Sequence, residues 1–103
     1  MTQPSVPPGF PSRIESLLGR ARRAQLRGER RQSLVALREA TLLAENDPRL
    51  WALYGAACAR VGRMSEAERA FGQALYLRKQ AHDIGRAQAL RGLIERLGLG
   101  RAA

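Results

Sequence analysis

Cys58 and His82 are the single cysteine and single histidine of this 103-residue chain, so thiol or imidazole chemistry has to run through them. A cysteine works as a nucleophile when a neighbouring imidazole takes its proton, but these two stand 24 positions apart with nothing to join them. The carboxylates are scattered singly, so no pair is set up for general acid and base work. No Cys/His spacing suggests zinc, and no Gly-rich strand-to-helix turn suggests a phosphate cradle. The expectation is a protein with no catalytic group, no metal and no cofactor, hence not an enzyme. Cys58 reads as a buried structural thiol and His82 as a surface residue in a helix–helix connection.

Arginine is the residue type present in excess. Eighteen Lys+Arg against nine Asp+Glu give a formal charge of +9, and every basic residue except Lys79 is arginine. Arg20, Arg22, Arg23, Arg27, Arg30 and Arg31, opposed only by Glu29, form the densest cluster. Arginine pairs well with phosphate, which raises a nucleic-acid reading. Against it, Arg20, Arg23, Arg27 and Arg30 or Arg31 follow the spacing of one solvated helix face, and no aromatic residues interleave to stack on bases. Specific nucleic-acid binding is therefore disfavoured; nonspecific retention on polyanions is the foremost expectation, attraction of an acidic protein partner stands between the two, and an arginine-biased genome is the alternative that needs no anionic partner.

The elements that must carry these residues fit one small domain. A 45% hydrophobic, 26% charged composition supports a folded chain, although aromatics make up only 5%. A lone cysteine rules out an intramolecular disulfide and fits a reducing compartment. No apolar run approaches the roughly 20 residues that span a bilayer. Residues 1–11 have neither a basic start nor an apolar core of the signal-peptide kind. A cytoplasmic protein with no membrane partner is expected.

Residues 1–11 hold four of the five prolines and read as a disordered tail, with a short proline-rich ligand as the functional alternative. From Ser12 onward the signals are helical, and Ser12 with Glu15 has the spacing of a capping box. Shifting the sequence against itself by 34 residues sets Leu17 on Trp51, Leu18 on Ala52, Ala21 on Gly55 and Ala24 on Cys58. The match continues with Gly28 on Gly62, Ser33 on Ala67, Leu37 on Phe71, Ala40 on Ala74 and Leu43 on Leu77. Large positions meet large and small meet small, which defines a repeat. In each unit a helix ends near a glycine and a second begins within about five residues, in the second unit at a Ser65/Glu68 capping box, giving an antiparallel pair. Asp47 as N-cap and Pro48 at the first helical position separate the units.

The second unit resembles the tetratricopeptide repeat, a 34-residue helix–turn–helix with a W-x2-L-G-x2-Y and A-x3-F-x2-A arrangement. Trp51, Tyr54, Gly55, Cys58, Gly62, Ala67, Phe71 and Ala74 occupy its main positions, with Tyr54 for leucine and Cys58 for tyrosine. Gly55 and Ala67 would let the two helices approach, and Trp51 and Phe71 would cover the contact. The first unit is degenerate, with Leu17, Arg20, Ser33 and Leu37 at the tryptophan, leucine, alanine and phenylalanine positions. A fifth helix follows, in which Ile84, Ala87, Leu90, Ile94 and Leu97 recur at helical spacing before Gly98 and Gly100. The expected fold is all-α, about five helices stacked as a short tetratricopeptide-like solenoid. Its divisions are a tail at 1–11, a helical domain at 12–98 (repeats at about 14–47 and 48–81, capping helix at about 83–97), and a flexible end at 99–103.

The resemblance implies that the first helix of each pair lines a concave face. That places Leu18, Arg22, Gln25 and Leu26 beside Arg49, Leu53, Ala56 and Arg60, an apolar floor edged with arginine. Such a face suits an amphipathic helix or extended segment carrying acidic residues. Leu53 stands where some family members use an asparagine to grip a chain-terminal carboxylate, so that specialised use is disfavoured. Leu90, Leu93 and Ile94 also fall at concave positions of the register, so the last helix is either a rotated cap or an interface for a homodimer or another protein. The function expected is a non-catalytic adaptor or scaffold that binds another protein. The alternatives are a basic nucleic-acid-associated protein and a small chaperone or secretion adaptor.

Overall fold

The computed structural model describes residues 10–99, and among them the regular structure is entirely helical. Five helices follow one another: α1 (Phe10–Leu26), α2 (Arg30–Leu43), α3 (Pro48–Arg60), α4 (Met64–Gln80) and α5 (Ile84–Arg96). Each packs on the next in sequence. The molecule measures 42 × 37 × 19 Å, and its thinnest dimension matches two helix diameters of about 10 Å. Helices α1, α3 and α5 form one layer and α2 and α4 the other, a helical-repeat-like arrangement.

One turn makes three of the four connections. After α1, Gly28 takes φ 77°, its N–H donates to the Gln25 carbonyl at 3.0 Å, and the Glu29 N–H donates to the Ala24 carbonyl at 2.8 Å. After α3, Gly62 at φ 82° does the same, with the Arg63 N–H reaching the Cys58 carbonyl at 2.9 Å. After α4 the left-handed residue is His82, φ 57°, and the Asp83 N–H reaches the Arg78 carbonyl at 2.9 Å. The same paired bonds close α5 at Gly98, φ 72°. Glycine is favoured here because a Cβ crowds the following carbonyl in the left-handed region. The residue after each of the first three turns also serves as N-cap of the next helix, so the chain reverses within three residues and adjacent helices run antiparallel.

These turns decide the helix starts, and both expected capping boxes are corrected. Ser65 lies inside the first turn of α4, because the turn at Gly62 makes Arg63 the N-cap, without a side-chain cap bond. Ser12 likewise lies inside α1, which begins at Phe10 rather than at residue 12. Pro11 sits in that first turn, where a missing N–H leaves no helical bond unmade. The expected tail and its proline-rich ligand reading otherwise fall on residues 1–9, outside the described residues. At the other end, Leu99 does not belong to a flexible segment: it is buried against the core, and its N–H donates to the Ile94 carbonyl at 3.0 Å. Residues 100–103 lie outside the described residues.

The connection from α2 to α3 matches the Asp-Pro signal. The Arg49 N–H donates to Asp47 Oδ1 at 3.0 Å, and Pro48 opens the helix. Burial repeats with the 34-residue offset: Leu17, Ala21, Ala24, Ser33, Leu37 and Ala40 are buried in the first unit, and Gly55, Cys58, Ala67, Phe71 and Ala74 in the second. Trp51 departs from this. It is half-buried at the edge of the core, and its indole N–H donates to the Glu45 carbonyl at 2.7 Å, tying α3 to the connection before it. Phe71, with no exposed surface, is the ring wedged between α3 and α4.

Candidate partner-binding face

The residues assigned to a shared face lie on α1 and α3, and their side chains divide by helical position. Leu18 and Ala56 are half-buried and pack against the core. Leu26 is 82% exposed and Leu53 40% exposed, so they are the large apolar side chains this surface offers to solvent. Arg22, Gln25, Arg49 and Arg60 are exposed around them. The layer is joined at one end, where Arg60 Nη2 donates to Gln25 Oε1 at 3.4 Å and Arg30 Nη1 donates to the Arg60 carbonyl at 3.4 Å. Arg49 lies at the opposite end of α3, where its guanidinium is 3.5 Å from Asp47 Oδ2. The two arginines of α3 are therefore held at its two ends rather than brought together.

Helix α5 completes the layer, with its apolar stripe turned toward the core. Leu90 is buried against the core and shows only its edge in the hollow between α3 and α5. Leu93 and Ile94 are half-buried against the same core. The apolar stripe turns inward because α4 and α3 offer it uncovered apolar surface, which an end helix must close. Between α3 and α5 a hollow of about 270 Å³ remains, with Ala52, Ala89, Leu90 and Leu93 among its walls and Arg78, Arg86 and Arg96 at its rim. Ala52, Arg86 and Arg96 were not among the residues singled out by sequence. The 34-residue offset that sets Leu18 on Ala52 carried the signal for the first of them.

Charge on this surface is neutralised only in part. Asp83 is committed to Arg78 at 3.5 Å and to Arg86 at 3.1 Å. That hydrogen bonding to Arg86, helped by the positive charge of Arg78, holds its carboxyl below the usual range. Among the described residues, Arg22, Arg60 and Arg96 form no salt bridge. The dense cluster on α1 and α2 is dispersed: Arg27 pairs with Glu29, Arg30 reaches across to α3, and Arg20 and Arg31 flank a shallow hollow with Val35.

A polar cluster beneath α3 was not anticipated. The Tyr54 hydroxyl donates to Glu66 Oε2, and the Cys58 thiol lies 3.9 Å from the same oxygen. The Tyr54 bond pulls the Glu66 carboxyl below its usual range, assisted by Arg63, Arg38 and Arg69. Burial, then the bond to Glu66, pushes the Tyr54 phenol well above its usual range. Burial likewise raises the Cys58 thiol, which is opposite to what an activated nucleophile requires. Tyr54 and Cys58 are one helical turn apart, but nothing in the sequence paired them with Glu66. His82 is exposed in the α4–α5 turn, away from Cys58. Among the described residues no cluster of His, Cys, Asp and Glu could hold a metal ion, and no helix is long and apolar enough to cross a membrane.

Neither protein-family models, nor curated proteins, nor solved structures provide a match to this chain.

Proposed function

We propose that the chain is a short tetratricopeptide-like array that serves as a non-catalytic adaptor, binding an acidic, amphipathic segment of another protein on the face carried by α1, α3 and α5. The observation behind this reading is the combination on one layer of exposed Leu26 and Leu53, the apolar hollow between α3 and α5, and the unpaired arginines Arg22, Arg60 and Arg96. An acidic amphipathic helix offers apolar side chains to the floor and carboxylates to the rim. The 34-residue repetition of buried positions and of the glycine turn supports the repeat assignment. A cytoplasmic setting fits the free, buried Cys58.

The test is affinity capture at moderate salt, followed by mass spectrometry, with three proteins. Leu26→Asp with Leu53→Asp should lose the captured partner. Val35→Asp with Leu42→Asp, which alters exposed apolar positions on α2, should retain it. Partners kept by the first variant, or a captured fraction dominated by nucleic acid that resists salt, would count against the reading.

A further inference from the structure

Among the described residues four helix ends use the same left-handed turn, and three of them carry glycine; the fourth carries His82. A residue with a Cβ at φ 57° is strained where glycine is not. His82 lines a hollow of about 220 Å³ together with Lys79, Ile84, Ala87, Gln88 and Arg91.

Three of those side chains are basic, and none of them has a carboxylate partner among the described residues. The nearest acid in sequence, Asp83, is held by Arg78 and Arg86 and by the Arg86 N–H at 3.2 Å. Lys79 and Arg91 are positive charges without a counter-charge and attract anions, and the His82 ring adds a hydrogen-bonding group beside them. Ile84, 68% exposed, and Ala87 give the same hollow an apolar wall. Gln88 adds a neutral donor and acceptor.

We propose that this hollow binds a phosphomonoester: the phosphate group between Lys79, His82 and Arg91, and the apolar body of the ester against Ile84 and Ala87. A doubly charged phosphate with three acceptor oxygens can engage three donors at once, which a carboxylate does less completely. The site shares no residue with the face assigned to the protein partner, so either assignment can fail alone.

The probe is butyl phosphate, titrated into the full chain and followed by the amide resonances of Lys79, His82, Gln88 and Arg91. Saturable shifts confined to that group are expected, with weaker binding of inorganic phosphate and no saturation by butyrate. His82→Gly should raise the melting temperature, by relieving the turn, and at the same time weaken butyl phosphate about fivefold, the loss of about one hydrogen bond. Lys79→Gln and Arg91→Gln should each weaken it to a similar degree without the gain in melting temperature. A stabilised His82→Gly protein with unchanged affinity would leave the histidine with no ligand role and overturn the proposal. Equal shifts at the Arg20–Arg31 cluster, equal affinity for inorganic phosphate, or equal affinity for butyrate would do so as well.

Discussion

Gly55 on α3 meets the ring of Phe71 on α4 so closely that a Cβ at position 55 would lie 3.1 Å from two of the ring carbons. Phe71 is completely buried and cannot swing away. Gly55→Leu should therefore force the helices apart and cost about 2 to 3 kcal/mol. Gly72, also inside α4, has nothing within 4 Å of its missing Cβ, so Gly72→Ala should stabilise by about 1 kcal/mol through helix propensity. Thermal and urea unfolding of the two variants should move in opposite directions.

Ser33 is the buried residue on α2 that the 34-residue offset pairs with Ala67, and its hydroxyl has no hydrogen-bond partner. A buried hydroxyl left unpaired is costly, and alanine already fills the equivalent place in the second unit. Ser33→Ala should raise unfolding stability by about 1 kcal/mol, read from the urea midpoint at unchanged slope.

The turn at His82 yields a stability prediction independent of any ligand. Glycine at this position would match Gly28, Gly62 and Gly98 and remove the left-handed Cβ penalty. A gain of about 1 kcal/mol is expected for His82→Gly, and a smaller gain for His82→Asn, which tolerates the same region. A lowered melting temperature in both would mean that the imidazole holds the turn.

Stability should fall at both ends of the pH scale, for different groups. Glu66 and Asp83 have depressed folded-state values, so their contribution is complete above the ordinary carboxylate range and is lost as pH falls through their lowered values. Tyr54 and Cys58 are raised, so their contribution is complete below the ordinary values and is lost as pH rises beyond them. Melting temperatures measured from pH 2 to 11 should pass through a plateau near neutrality. Tyr54→Phe should flatten the alkaline limb, and Asp83→Asn the acid limb.

The helix pairs, the Asp47–Pro48 boundary and the repeat of small and large positions were legible from residue types, because periodicity and glycine are local properties. The capping boxes misled: Ser65 and Glu68 have suitable spacing, but the turn at Gly62 had already made Arg63 the N-cap. A local motif yields when the preceding turn sets where the helix begins. Leu90 was open in another way, since its place in the register did not say whether α5 would turn its stripe onto the core or outward.

Composition and spacing alone determined that the chain is helical, repeats at 34 residues and gathers arginine on α1 and α2, since each of these is written in residue types and their order along the chain. Packing decided which apolar residues remain for a partner. Leu26 and Leu53 stay open, Leu90 closes into the core, and Trp51 stops at its edge. Packing also joined Tyr54 and Cys58 to Glu66, and set His82 in a hollow with Lys79 and Arg91. Those relationships arise from the rotation and approach of whole helices, which minimise exposed apolar area across the domain and leave no mark in the spacing along any one of them.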